Sequence, residues 1–65
     1  MKKEYQVVAK DKWGDWDTIA DELKTKKEAM AIAKKLDNKK WVSIDIYLII
    51  DEDLKETFDK NGKVR

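Results

Sequence analysis

Sixty-five residues, 42% hydrophobic and 45% charged, suit a single domain spanning residues 1–65, with apolar material for one core and no room for a second. The chain has no cysteine and no histidine, which excludes disulfides and thiolate metal sites and removes the commonest general base and zinc ligand. The formal charge of +1 hides a segregation: residues 11–23 set Lys12 against Asp11, Asp15, Asp17, Asp21 and Glu22, whereas residues 24–40 set seven lysines against Glu28 and Asp37. Such a split bears on association and solubility more than on fold.

Met1-Lys2-Lys3 leads into Glu4 and Gln6 rather than an apolar segment, so no signal peptide is expected and a cytoplasmic, membrane-free protein is the plain expectation. Residues 4–10 predict a first strand, with Tyr5, Val7 and Ala9 on one face, Glu4, Gln6 and Lys10 on the other, and Val8 as the exception. Asp11-Lys12-Trp13-Gly14-Asp15 predicts a turn, with Gly14 free to take a positive φ. Residues 16–23 fit two patterns. A strand places Trp16, Thr18 and Ala20 on one side; a helix gathers Ile19, Ala20 and Leu23. The strand is favoured, bulged near Ala20 and Asp21, because a helix continued to residue 37 would run Lys26 and Lys27 through its apolar stripe.

Thr25-Lys26-Lys27-Glu28 matches a capping box, in which the Thr hydroxyl accepts from the amide of residue 28 and Glu28 reaches back. Ala29, Ile32, Ala33 and Leu36 then recur at helical spacing, and Asp37 to Lys40 would end the helix, with Asn38 as a left-handed cap. Residues 41–50 are the longest apolar run. Val42, Ile44, Ile46, Leu48 and Ile50 alternate with Trp41, Ser43, Asp45, Tyr47 and Ile49, which predicts a strand with its even positions buried. Asp51-Glu52-Asp53 is an acidic turn. Residues 54–59 follow as a fourth strand with Leu54, Glu56 and Phe58 on one side, or as a short helix, and Asn61-Gly62 marks another turn. Val64 sits in a frayed end or a short returning strand.

The expected fold is α+β: a small antiparallel sheet in β-β-α-β order, strand order 2-1-3, with residues 54–65 extending an edge and one helix on one face. One helix leaves the reverse face open. Trp41, Tyr47 and Ile49 are expected there, joined from the hairpin by Trp16 or Trp13, and an exposed aromatic-aliphatic cluster marks a surface for another protein or a second copy. The competing expectation is that residues 54–65 cover this face with Leu54 and Phe58 as a lid. A nucleic-acid interface is the alternative: Lys24, Lys26, Lys27, Lys34, Lys35, Lys39 and Lys40 could neutralise phosphates while Trp41 and Tyr47 stack on bases. Those lysines belong to the helix side and the aromatics to the reverse, and the chain holds a single arginine. Asp59-Lys60-Asn61-Gly62 resembles the opening of a calcium loop, but a hairpin turn accounts for the same residues. Ser43 has no histidine to activate it and only Gly14 and Gly62 are available for a phosphate loop, so neither an enzyme nor a cofactor is expected.

Gly14-x-Trp16-x-x-Ile19, followed by Thr25-Lys26-Lys27-Glu28-Ala29 and Ala33-x-x-Leu36, is similar to short β-β-α-β proteins of low-GC Gram-positive bacteria and their phages. Fourteen lysines against one arginine suit such a genome. The resemblance covers residues 4–50 and implies a protein that modulates or inhibits a host complex by binding it. It carries no functional residue. The sequence therefore leads to a non-enzymatic interaction module, a homodimer or a partner-binding monomer, with Trp41 and Tyr47 as its expected anchors.

Overall fold

A computed structural model describes residues 1–36 and 39–65. The elements are β1 (Lys3–Asp11), β2 (Trp16–Leu23), α1 (Lys26–Lys35), β3 (Trp41–Ile50) and β4 (Asp53–Asp59). The strands form one antiparallel sheet in the order β2-β1-β3-β4, and α1 lies on one face of it. This is the expected α+β architecture, with residues 53–59 resolved as the fourth strand. The core between sheet and helix holds Tyr5, Val7 and Ala9 from β1, Ile44 and Ile46 from β3, Phe58 from β4, and Ala29 and Ala33 from α1. The two alanines present no bulk, which lets the helix backbone approach the sheet closely.

Helix α1 starts where the capping pattern places it. The Thr25 hydroxyl oxygen accepts from the Glu28 amide at 3.2 Å. The Glu28 carboxylate accepts from that same hydroxyl at 3.3 Å instead of reaching the Thr25 amide, so the reciprocal half of the box is altered. At the other end Leu36 is the C-cap, its amide donating to the Ala33 carbonyl at 3.3 Å. The expected left-handed cap at Asn38 lies outside the described residues.

Three strands depart from regular alternation, and each departure moves an apolar side chain. In β2, Val8 pairs with Thr18 and Val7 with Ala20, leaving Ile19 extra; Tyr5 then pairs with Leu23, with Glu22 between them at φ 54°. A bulge resets which face the following residues address. Ile19, Ala20 and Leu23, which a regular strand would divide between two faces, all pack on the helix-side core. Their spacing resembles a helix for that reason.

The same device corrects the expectation for residues 41 and 42. Lys10 pairs with Ser43 and Asp11 with Trp41, so Val42 is the extra residue. Trp41 is turned into the helix-side core and Val42 is left 64% exposed, the reverse of the strict alternation. The exchange buries an indole in place of an isopropyl group, which removes more apolar area from water. In β4, Leu48 pairs with Glu56 and Ile49 with Leu54, making Lys55 the extra residue. Phe58 therefore enters the helix-side core while Leu54 is displaced to the other face, so the expected lid of Leu54 and Phe58 is not formed.

The β3–β4 connection is a two-residue turn with Asp51 and Glu52 at φ 51° and 71°, the left-handed pair that suits a twisted hairpin. Asp51 also ties down the start of β1: its carboxylate accepts from the Lys2 amide at 2.8 Å, and its own amide donates to the Lys2 carbonyl at 2.8 Å.

Candidate functional site

Two turns of one design stand at the same end of the sheet, because β1 and β4 run in the same direction on either side of β3. In the first, the Asp11 carboxylate accepts from the amides of Trp13 and Asp15 at 2.9 and 3.0 Å. In the second, the Asp59 carboxylate accepts from the amides of Asn61 and Lys63 at 2.8 and 3.0 Å. The Gly14 and Gly62 amides close the loops onto the carbonyls of Asp11 and Asp59, with φ of 90° and 85°. The shared text is Asp-Lys-x-Gly at 11–14 and 59–62, a repeat legible in the sequence once both segments are read as turns. The calcium-loop likeness of residues 59–62 thus resolves into a hairpin turn whose carboxylate is already satisfied by backbone donors. The Lys63 amide is the main influence holding the Asp59 carboxyl below the usual range, against a smaller opposing effect of burial, with the Asn61 amide and the charges of Arg65 and Lys63 adding to it.

Beside the second turn, β3 extends past the end of β4 and leaves a cleft of about 260 Å³ among Trp41, Ser43, Ile44, Asp59, Asn61 and Arg65. Arg65 spans its side, donating to the Asp45 carboxylate at 2.6 Å and to the Ile44 carbonyl at 3.3 Å. The cleft is smaller than the roughly 300–1,000 Å³ of ordinary ligand pockets. Ser43 lies in it, with Asp59 and Lys60 also on the lining.

The larger feature is the sheet face that α1 does not cover. Alternation and register place Glu4, Gln6, Val8 and Lys10 of β1 there, with Trp16 and Thr18 of β2, Ser43, Asp45, Tyr47 and Ile49 of β3, and Leu54, Thr57 and Asp59 of β4. Val8 is buried although no helix lies over it, and it stands apart from the helix-side core. Its cross-strand neighbours are Thr18 and Asp45, with Tyr47 on the diagonal. Tyr47 and Ile49 are half-buried, while Trp16 and Leu54 are 48% and 55% exposed. Together they form an apolar diagonal crossing all four strands.

Of the residues expected at a binding face, Tyr47, Ile49 and Trp16 are on it, the last beside the Lys10 ammonium at 6.0 Å from the ring centre. Trp13 is 76% exposed but sits at the tip of the first turn, with Lys12 at 4.7 Å from its ring. Trp41 is in the core, covered by the Lys40 ammonium at 5.0 Å. Val8 and Leu54 were missed: the first interrupts the β1 pattern and the second changes face through the Lys55 bulge.

The polar members of this face are unequal. Asp45 is held by Arg65. The Glu4 carboxylate is largely sheltered, with Lys2 at 3.7 Å, yet its Oε2 atom is buried without a hydrogen bond. On the opposite side of the sheet, Lys27, Lys34 and Lys35 of α1 are exposed, as are Lys39 and Lys40 after it, whereas the Lys26 ammonium rests 4.1 Å from the Phe58 ring. The helix lysines and the aromatics of the open face thus lie on different surfaces.

Comparison with family models, curated proteins and solved structures found no match.

Proposed function

We propose that this chain is a non-enzymatic binding module that docks a protein on its helix-free sheet face. The observation that carries the reading is the apolar diagonal of Trp16, Val8, Tyr47, Ile49 and Leu54, which spans the four strands with no element of the described residues packed over it. Its apolar surface is exposed at Trp16 and Leu54 and partly so at Tyr47 and Ile49, around a buried Val8, and such surface is characteristic of interaction sites. Tyr47 at its centre and Trp16 toward one end are the expected anchors, since aromatics with a polar edge dominate the energetics of such interfaces. Trp41 passes from anchor to core residue.

The test is a photo-reactive phenylalanine derivative placed at position 47 and, separately, at position 34 on the exposed side of α1. Irradiation of producing cells should give a discrete adduct from position 47 and none of the same mass from position 34. No adduct at 47, or the same adducts from both positions, would refute the reading.

A further inference from the structure

We infer that the occupant of this face is a second copy of the chain, stacked sheet to sheet with its strands reversed. The inference rests on the docking reading above and adds the partner and its register. Its basis is the charge layout of β1. Glu4 and Lys10 point to the helix-free face from opposite ends of the strand, with Gln6 and Val8 between them. A two-fold axis lying between the sheets and crossing the strands at the level of Val7 and Ile46 lays β1 over the partner's β1 in the opposite direction. Glu4 then meets the partner's Lys10, and Lys10 meets the partner's Glu4, as an isologous interface requires. The same operation sets Gln6 against the partner's Val8 and Tyr47 against the partner's Asp45.

A second observation singles out Glu4. Its Oε2 atom is buried and lacks a hydrogen-bond donor, with Lys2 at 3.7 Å as its ion partner. The reversed stack brings the partner's Lys10 to the side of this carboxylate that is still exposed, adding a second cation to the 3.7 Å pair with Lys2. An axis running along the strands between β1 and β3 would instead set Glu4 over the partner's Ile49, which pairs with it in register, and would bring no opposite charge to it. Facing sheets stand about 10 Å apart and cross by about 30°, a separation and offset that a lysine and a glutamate side chain bridge together.

Strand spacing and rise make the face about 19 Å by 20 Å, so the two copies together cover about 800 Å², below the roughly 1,200 Å² at which stable specific complexes begin and in the range of transient ones. Association is therefore expected to be weak and to rise through roughly 10 µM to 1 mM.

Sedimentation equilibrium of the full chain over that range provides the test. The wild-type protein should pass from a monomer of 7.7 kDa to a dimer. Glu4→Lys and Lys10→Glu should each weaken association by at least about tenfold, because each places like charges together at both symmetry-related contacts. The double variant, which restores opposite charges at both contacts, should recover most of the loss; melting by circular dichroism confirms that each variant is folded. A monomer at all concentrations, single variants that associate as the wild type does, or a double variant no tighter than the singles would overturn the inference. A monomer that still yields an adduct to a different protein from position 47 would overturn the second copy while retaining the docking face.

Discussion

The two Asp-Lys-x-Gly turns offer a controlled comparison, because they share sequence and backbone and differ in what surrounds the glycine. Gly14→Ala and Gly62→Ala both force a side chain into the left-handed region, at φ of 90° and 85°. That costs about 1–2 kcal/mol, offset by about 0.4–1 kcal/mol from the reduced freedom of the unfolded chain. Gly14→Ala should therefore cost about 1 kcal/mol, since the added methyl meets only the Lys10 Cε atom at 3.9 Å. At Gly62 the methyl falls 2.9 Å from Met30 Sδ and 3.2 Å from Met30 Cε and Lys26 Cε. Met30 must leave its rotamer or the turn must lift from α1, adding about 1 kcal/mol or more. Urea unfolding followed by tryptophan fluorescence at low micromolar concentration would measure both. The gap should close in a Met30→Ala background, where only the end of Lys26 remains in the way. Equal losses at the two glycines, or a gap that survives the removal of Met30, would refute the idea that the second turn is packed on the helix.

The bulge at Val42 predicts opposite fates for adjacent residues. Trp41→Ala should cost about 3–5 kcal/mol and unfold much of the protein, while Val42→Asn should stay within about 0.5 kcal/mol, as read from thermal or urea midpoints. Because the Asp59 carboxyl is held below its ordinary value in the folded state, the stability it contributes is present above the unfolded value and lost as pH falls through the folded one. Asp59→Asn should accordingly flatten the decline of the urea midpoint below about pH 4, and an unchanged decline would show that other carboxylates govern it.

Local chemistry was most legible where it acts within a few residues. Thr25 and Glu28 announced the helix start, and the spacing of Ala29 and Ala33 named the helix residues that are buried. Gly14 and Gly62 marked turns, and the alternation from Ser43 to Ile49 chose its faces correctly. At the candidate site, Tyr47, Ile49 and Trp16 followed from the same alternation. Trp41, Val42 and Leu54 did not, because a bulge carries no sequence mark of its own in these strands. A strand shows only its own period; whether an extra residue is tolerated depends on what lies across from it and on which side chain gains by turning inward.

What the sequence determined by itself was three kinds of element: an apolar run with the period of a strand, a capped helix, and turns built on aspartate and glycine; residues 16–23 and 54–59 fitted strand and helix alike. Those three kinds follow from backbone sterics and from hydrogen bonds closed within a turn, which need no distant partner. Only the tertiary structure decided which aromatic was core and which was surface, that Phe58 would seal the helix side, and that Glu4 and Lys10 would share the uncovered face with Tyr47. Such outcomes depend on register between strands far apart in sequence, where one inserted residue exchanges inside for outside.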